Sequence, residues 1–254
     1  MVSPRGYVFT PEELREFHEL QRSFWWFVGR RAVVFELFRR FHPAAPRPRI
    51  VDIGCGTGLT LSGLRDQGFA VGLDISEDAL RLCRKEAACV LLADGAALPF
   101  RAGSVDAVFA LDVAEHFEDD ETVLSEMHRV LGARGVALVT VPAFTFLWSG
   151  MDDLGGHYRR YTARGLAQKL GGAGFVVEKL SYFNFFLFPA LVAERLVSRV
   201  TKPAPRAYFR RLPAAIDRLL ASLLRLEARM LRAIDLPVGG SIVALARKRP
   251  EAAS

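Results

Sequence analysis

The stretch Val51-Asp52-Ile53-Gly54-Cys55-Gly56-Thr57-Gly58 constrains the fold of this chain more than any other. Ile50–Ile53 is an apolar run of strand length. Glycine then occupies every second position, and a helical pattern begins at about Leu59. Glycine tolerates positive φ and lets a ligand approach the backbone closely. A strand that passes through such a turn into a helix is the first unit of an open α/β sheet. Such sheets bind ligands at the carboxyl ends of their strands.

The rest of the chain repeats the unit. Apolar runs at Ala70–Leu73, Cys89–Leu92, Val105–Leu111 and Val136–Val141 read as strands, with helices over about Glu77–Ala87 and Glu121–Leu131 between them. A further helix over Thr162–Leu170, stopped by Gly171-Gly172, precedes closing strands at Phe175–Leu180 and Ser241–Ala246. Short apolar strands with helix-length connections predict a sheet covered on both faces. The expected fold is α/β: a doubly wound, Rossmann-like, mostly parallel seven-stranded sheet with an N-terminal helical lid and a helical insertion before the last strand. Thr10-Pro11-Glu12-Glu13 reads as a capped helix start. Two helices broken near Gly29 run to Phe41, and the Pro-rich stretch His42–Pro48 forms a linker. Three regions follow: a lid (1–45), a core (46–182 and 239–249) and the insertion (183–238).

At 254 residues and 51% hydrophobic, the chain can bury one sizeable core. The insertion holds ten Lys/Arg and four acids, which accounts for the whole net charge of +6. A locally basic, apolar segment points to a membrane surface or an amphiphilic ligand rather than to nucleic acid. Met1–Thr10 has no signal-peptide pattern, and the apolar run Phe185–Ala193 is too short to span a bilayer. Cys55, Cys83 and Cys89 lack metal spacing and read as reduced thiols. The expected location is the cytoplasm, with peripheral contact to a membrane through 183–238.

The glycine spacing is G-x-G-x-G after Asp52, not the G-x-G-x-x-G of dinucleotide folds. With its ordered companions it resembles the first motif of class I S-adenosylmethionine (SAM)-dependent methyltransferases. Asp74 ends the second strand in Gly72-Leu73-Asp74-Ile75-Ser76, and Asp94 ends the third in Ala93-Asp94-Gly95-Ala96. Leu98-Pro99-Phe100 and Arg129-Val130-Leu131-Gly132-Ala133-Arg134-Gly135 match the family's entries to the fourth and fifth strands. The resemblance implies SAM as cofactor and S-adenosylhomocysteine (SAH) as product. It implies cofactor contacts from Asp52, Gly54, Cys55, Gly56, Gly58, Asp74, Ile75, Asp94, Gly95 and Asp112. Asp74 would receive the ribose hydroxyls, and Asp94 would lie near the adenine amino group. Taken alone, Asp74 reads first as a helix cap.

Asp112-Val113-Ala114-Glu115-His116 follows the fourth strand, and a later loop carries Gly156-His157-Tyr158-Arg159-Arg160-Tyr161. The pairing resembles two metal-using groups, the ubiquinone-pathway O-methyltransferases and the small-RNA 3′-end 2′-O-methyltransferases. That resemblance implies a divalent ion such as Mg²⁺ on Asp112, Glu115, His116 and His157. Asp112 stands where some relatives carry Glu, a shorter reach. Without a metal, His116 or His157 is the expected base. Glu115 is then a helix cap or a neighbour of the SAM amino group, and His157 a loop residue bonded to Asp152 or Asp153.

Phe24-Trp25-Trp26-Phe27-Val28-Gly29-Arg30-Arg31 resembles a helix that closes over SAM, with Arg30 or Arg31 on the SAM carboxylate; a core-packing aromatic face is the alternative. Arg159-Arg160-Tyr161 reads as a clamp for an anionic substrate or as a solvated helix entry. The insertion reads as an apolar substrate cap, a membrane contact or an extra core hairpin. The leading functional expectation is O-methylation of a small hydrophobic or lipid-like acceptor. RNA 2′-O-methylation and a non-methylating use of the fold are the alternatives.

Overall fold

The computed structural model describes residues 9–41, 46–87, 89–201 and 212–249. The signal-peptide reading of residues 1–8, part of the linker (42–45) and four insertion cations (Lys202, Arg206, Arg210, Arg211) lie outside the described residues. The elements run α1 (Pro11–Ser23), α2 (Trp25–Arg40), β1 (Arg49–Ile53), α3 (Leu59–Arg65), β2 (Phe69–Asp74), α4 (Glu77–Glu86), β3 (Val90–Leu92) and β4 (Val105–Leu111). They continue α5 (Asp120–Val130), β5 (Leu131–Pro142), α6 (Gly150–Gly155), α7 (Ala163–Gly172), β6 (Phe175–Phe183), α8 (Phe188–Thr201), α9 (Ala214–Met230) and β7 (Ser241–Lys248).

The seven strands form one sheet in the order β3-β2-β1-β4-β5-β7-β6. β1 pairs in parallel with both β2 and β4, and β7 is antiparallel to β5 and to β6. Strand order reverses between β1 and β4, so the crevice of a doubly wound sheet opens at their carboxyl ends. The expected α/β seven-stranded fold is the observed one.

One face of the sheet is covered by α5 and α7, through Val123, Leu124, Met127, Leu166 and Leu170. The other is covered by α2, α3, α4 and α9, through Val33, Leu37, Phe38, Leu61, Leu64, Leu80, Leu224 and Ala228. Burial of such residues supplies the main drive for this layering. α2 and α9, drawn from the expected lid and insertion, share this core with the sheet.

Four local readings change. The N-terminal helices separate at Phe24, whose backbone is extended (ψ 126°), and Gly29 lies inside α2. A Cβ on Gly29 would stand 2.2 Å from Leu224 Cδ1 and 2.5 Å from Leu224 Cβ, so this glycine serves the approach of α9. α7 continues through Gly171-Gly172, and the chain turns at Gly174 (φ 93°). β5 begins at Leu131, opposite Val105, so Gly132–Gly135 is an irregular part of a strand rather than a turn before it. α5 is capped by Asp119, not Glu115.

Gly29→Val is expected to lower the free energy of unfolding by about 1–3 kcal/mol through overpacking. Denaturant titration reads the loss. An unchanged midpoint would mean that α9 moves off α2 at no cost.

Candidate active site

The turn after β1 is built as its glycines require. Gly54, Gly56 and Gly58 have φ of 64°, 54° and 91°. Gly58 N-caps α3 in the left-handed conformation, and a Cβ there would strike Cys83 Sγ at 2.5 Å. A Cβ on Gly56 would meet nothing within 4 Å, so bare backbone faces open space. Asp74 lies beneath the loop, 2% exposed, and accepts hydrogen bonds from Gly56 N (2.9 Å) and Ser76 N (2.8 Å).

A cavity of about 450 Å³ joins this loop to the segment after β4. Of the expected cofactor residues, Gly54, Cys55, Gly56, Arg30 and Asp112 line it. Asp52, Gly58 and Asp74 stand behind the lining, and Ile75, Asp94 and Gly95 lie outside it at the ends of β2 and β3. Asp94 is exposed and accepts from Ala96 N within its own turn. α1 and α2 roof the cavity with Leu14, Phe17, Phe24, Trp25 and Trp26. Thr57 Oγ1 donates to Gln21 Oε1 (2.7 Å), which latches α1 onto the glycine loop.

Asp112 is placed differently from expectation. It adopts φ 56°, its Oδ1 accepts from Thr140 Oγ1 (3.1 Å), and its Oδ2 accepts from Arg30 Nη1. The Arg30–Asp112 ion pair lies in the cavity wall. Asp112 is not part of the metal-type cluster, and Arg30 already has a carboxylate partner within the chain. Arg31 also lines the cavity; burial and the neighbouring Arg30 and Arg22 lower its pKa to about 10. Left-handed backbone in a non-glycine residue stores strain and concentrates at functional sites. Among the described residues, Asp112, Phe144 and Asn184 show it, and they follow β4, β5 and β6.

Glu115, His116 and His157 come together as expected. One ligand-type atom from each lies within 4.8 Å of the other two. Glu115 is fully buried, and neither carboxylate oxygen has a partner. Burial, then the charge on Asp112, pushes its pKa well above the usual range. His116 Nδ1 has no partner, and burial followed by the neighbouring His157 lowers the ring to about 3. The two imidazoles meet edge to face at 4.7 Å. His157 Nδ1 lies 3.0 Å from Asp152 Oδ1. Burial pushes Asp152 upward, but hydrogen bonds from His157 and Arg160 outweigh it and hold the acid at about 2. An ionised Asp152 fixes the Nδ1–H tautomer of His157 and leaves Nε2 as the acceptor. A Cβ on Gly155 would fall 2.9 Å from that Nε2, so the ring needs a glycine there.

The Arg159-Arg160 pair is not a free clamp. Arg159 binds Asp120 (3.0 Å) and the Glu118 carbonyl, while Arg160 binds Asp152 (2.7 Å) and the Ala143 carbonyl (3.0 Å). Asn184 and Arg195 carry no comparable signal in the sequence. Both line the cavity; Asn184 Oδ1 is buried without a partner, and Arg195 Nε donates to the Leu147 carbonyl. An Asn directly after a strand in Tyr182-Phe183-Asn184 was the available hint, because Asn tolerates left-handed backbone.

Asp52 gives a pH test of the buried loop. Burial raises its pKa to about 7, with Arg30 opposing and Asp74 adding to the rise. Unfolded, an Asp titrates near about 3.9. Its favourable contribution is complete below that value and is lost as pH rises through about 7. The thermal midpoint should therefore fall between about pH 4 and pH 7, and Asp52→Asn should flatten that fall. An equal slope in both proteins would show that other groups set it.

Comparison with known proteins agrees with this geometry. Residues 51–139 match the methyltransferase domain family. The chain is 37% identical over 105 residues to the Mus musculus tRNA (carboxymethyluridine(34)-5-O)-methyltransferase ALKBH8. That match covers 40% of this chain and 16% of the relative, about a sixth of its length. It is 35% identical over 159 residues to a probable S-adenosylmethionine-dependent methyltransferase of Mycolicibacterium smegmatis, covering 61% of this chain and 60% of the relative. The fold is similar to that of a SAM-dependent methyltransferase of Thermotoga maritima, with a TM-score of 0.57, 20% identity and coverage of 93% and 97% of the two chains. What the chain shares with these proteins is a methyltransferase domain over residues 51–139 and the fold of SAM-dependent methyltransferases, which together support a SAM-dependent methyltransferase.

Proposed function

We propose that this methyltransferase moves the methyl group of SAM to a hydroxyl oxygen of a small, apolar or lipid-like acceptor. The observation that carries the reading is one continuous cavity. It joins the bare glycine loop to Glu115, His116 and His157 under an aromatic roof. Gly56 leaves room for a cofactor against its backbone, and Asp74 holds the loop from behind.

His157, oriented by Asp152, accepts the hydroxyl proton at Nε2. The oxygen forms its bond to the methyl carbon as the carbon–sulfur bond breaks, and SAH leaves with the electron pair on sulfur. The aromatic roof excludes water and holds the acceptor in line. Glu115, His116 and His157 also fit a divalent ion, since their donor atoms converge and both oxygens of the buried Glu115 are unpartnered. One carboxylate and two imidazoles suit Zn²⁺ or Mn²⁺ better than Mg²⁺. Such an ion would lower the acceptor's pKa.

Calorimetric titration with SAH, followed by transfer from labelled SAM to candidate hydroxyl acceptors, tests the reading. A folded protein that does not bind SAH would defeat it. Loss of turnover with a chelator, restored by Zn²⁺ or Mn²⁺, would put His157 Nε2 on the ion instead of on the proton. Turnover indifferent to chelation would leave His157 as base without a metal.

A second reading makes RNA the acceptor. The similarity to a tRNA methyltransferase supports it and removes the ground for setting nucleic acid aside. Labelling of total tRNA, with binding that weakens steeply as salt rises, distinguishes it.

A further inference from the structure

β6 delivers the chain to the cavity at Asn184. This residue is 6% exposed, adopts φ 62° and lines the cavity. Its Oδ1 finds no hydrogen-bond partner among the described residues. A buried carbonyl oxygen without a donor costs the fold free energy. The backbone does not call for that cost, since glycine adopts the same φ and carries no amide.

The surroundings fix the amide in place. Glu227 on α9 is fully buried, and its Oε1 accepts from Phe186 N (3.0 Å). Burial raises the Glu227 pKa, and the backbone N–H groups of Phe186, Phe185 and Asn184 oppose the rise, so the carboxylate gathers the turn around itself. From the other side, a Cβ on Gly239 would strike the Phe183 carbonyl oxygen at 2.2 Å. One on Gly240 would stand 2.9 Å from Leu191 Cδ2 and 3.0 Å from Asn184 Nδ2. The two glycines let the entry to β7 close against Asn184 and Leu191 together. Leu191 lies one helical turn before Arg195 on the same face of α8. Asn184, Leu191 and Arg195 therefore form one stretch of cavity wall, and Trp26, stacked on Phe183 at 5.5 Å, lines the cavity too.

We propose that Asn184 is the specificity-determining residue of the acceptor end, and that its amide pairs with a second, uncharged hydroxyl carried on the acceptor's apolar body. A hydroxyl donates to Oδ1 and accepts from Nδ2. Trp26 and Leu191 suit the apolar body. An ammonium is the wrong donor here, because Arg195 stands on the same wall with Arg160 close by. The pairing rests on the hydroxyl-acceptor reading above.

Methyl transfer from labelled SAM to matched chains tests it. The probes are α,ω-diols from hexanediol to dodecanediol, the primary alkanols of the same lengths, and the corresponding ω-amino alcohols. For the best diol, kcat/KM should exceed that of its alkanol at least about tenfold, because a site built to hydrogen-bond a hydroxyl rejects the chain that lacks it. In Asn184→Gly the diol should fall to the alkanol's rate. That variant keeps the positive φ, so its thermal midpoint should stay within about 4 °C of wild type. Its SAH affinity by calorimetry should be unchanged. Equal use of diol and alkanol by the wild type would overturn the proposal, as would a diol preference that survives in the variant or a preference for the amino alcohol. A larger drop in the midpoint would assign the amide to the fold and overturn it too. If SAH binds and no chain is methylated, the hydroxyl-acceptor reading falls and this proposal with it. If SAH does not bind, the methyltransferase reading itself fails.

Discussion

Glu115→Gln is expected to raise thermal stability by about 1–3 kcal/mol and to lower methyl-transfer turnover at least about 100-fold. Affinity for SAH should change little. The opposed signs come from one observation. Glu115 is completely buried, and neither of its oxygens has a hydrogen-bond partner. A carboxyl in that setting costs the fold free energy, and the neutral amide of the same shape lessens the cost. Packing alone gives no reason for an acid there. The reason lies in what it faces, the His116 and His157 rings at the end of the cavity. Stability withheld at a functional site is a familiar exchange. Turnover equal to wild type would remove Glu115 from the reaction. A lower thermal midpoint would show that the acid supports the fold through its contacts. His157→Ala should match the loss of turnover, because the imidazole that Asp152 orients is then gone.

The sheet was legible because its signal is local. Val105–Leu111 is an uninterrupted apolar run, and the observed strand has those same limits. The capping box at Thr10 and Glu13 was equally readable and forms as expected. What the sequence hid depends on contacts between distant residues. Gly29 looks like a helix breaker until Leu224 is seen lying against it. Arg30 looks like a cofactor ligand until Asp112, 82 positions away, takes its guanidinium. Arg160 looks like a substrate clamp until Asp152 claims it. Short-range patterns name the residues of the site. They do not say which charges neutralise one another within the chain, and that pairing decides which groups are left for substrate. Glu115, His116 and His157 converge, two of them being adjacent in sequence, whereas Asp112 lines the same cavity outside that cluster because its left-handed backbone turns the side chain toward Thr140 and Arg30.

Asp74→Ala should reduce SAH affinity at least about 100-fold, since each hydrogen bond to a charged group contributes about 1.5–3 kcal/mol. The carboxylate holds the glycine loop by Gly56 N and the start of α4 by Ser76 N. Its removal leaves two backbone donors unpaired at a site that is 2% exposed. Gly54, Gly56 and Gly58 all sit at positive φ, so little in the loop itself keeps its shape. The loop is preorganised from below, and without that support cofactor binding must also bear the ordering cost. Asp74→Asn separates support of the loop from simple charge. Its single oxygen can accept from one donor, while its NH₂ must face the other. If charge alone mattered, both variants would weaken SAH equally. If the two accepted bonds matter, Asn should fall between Ala and wild type. Full SAH affinity in the alanine variant would mean that the loop keeps its conformation unaided, and the cofactor site would have to be sought away from this turn.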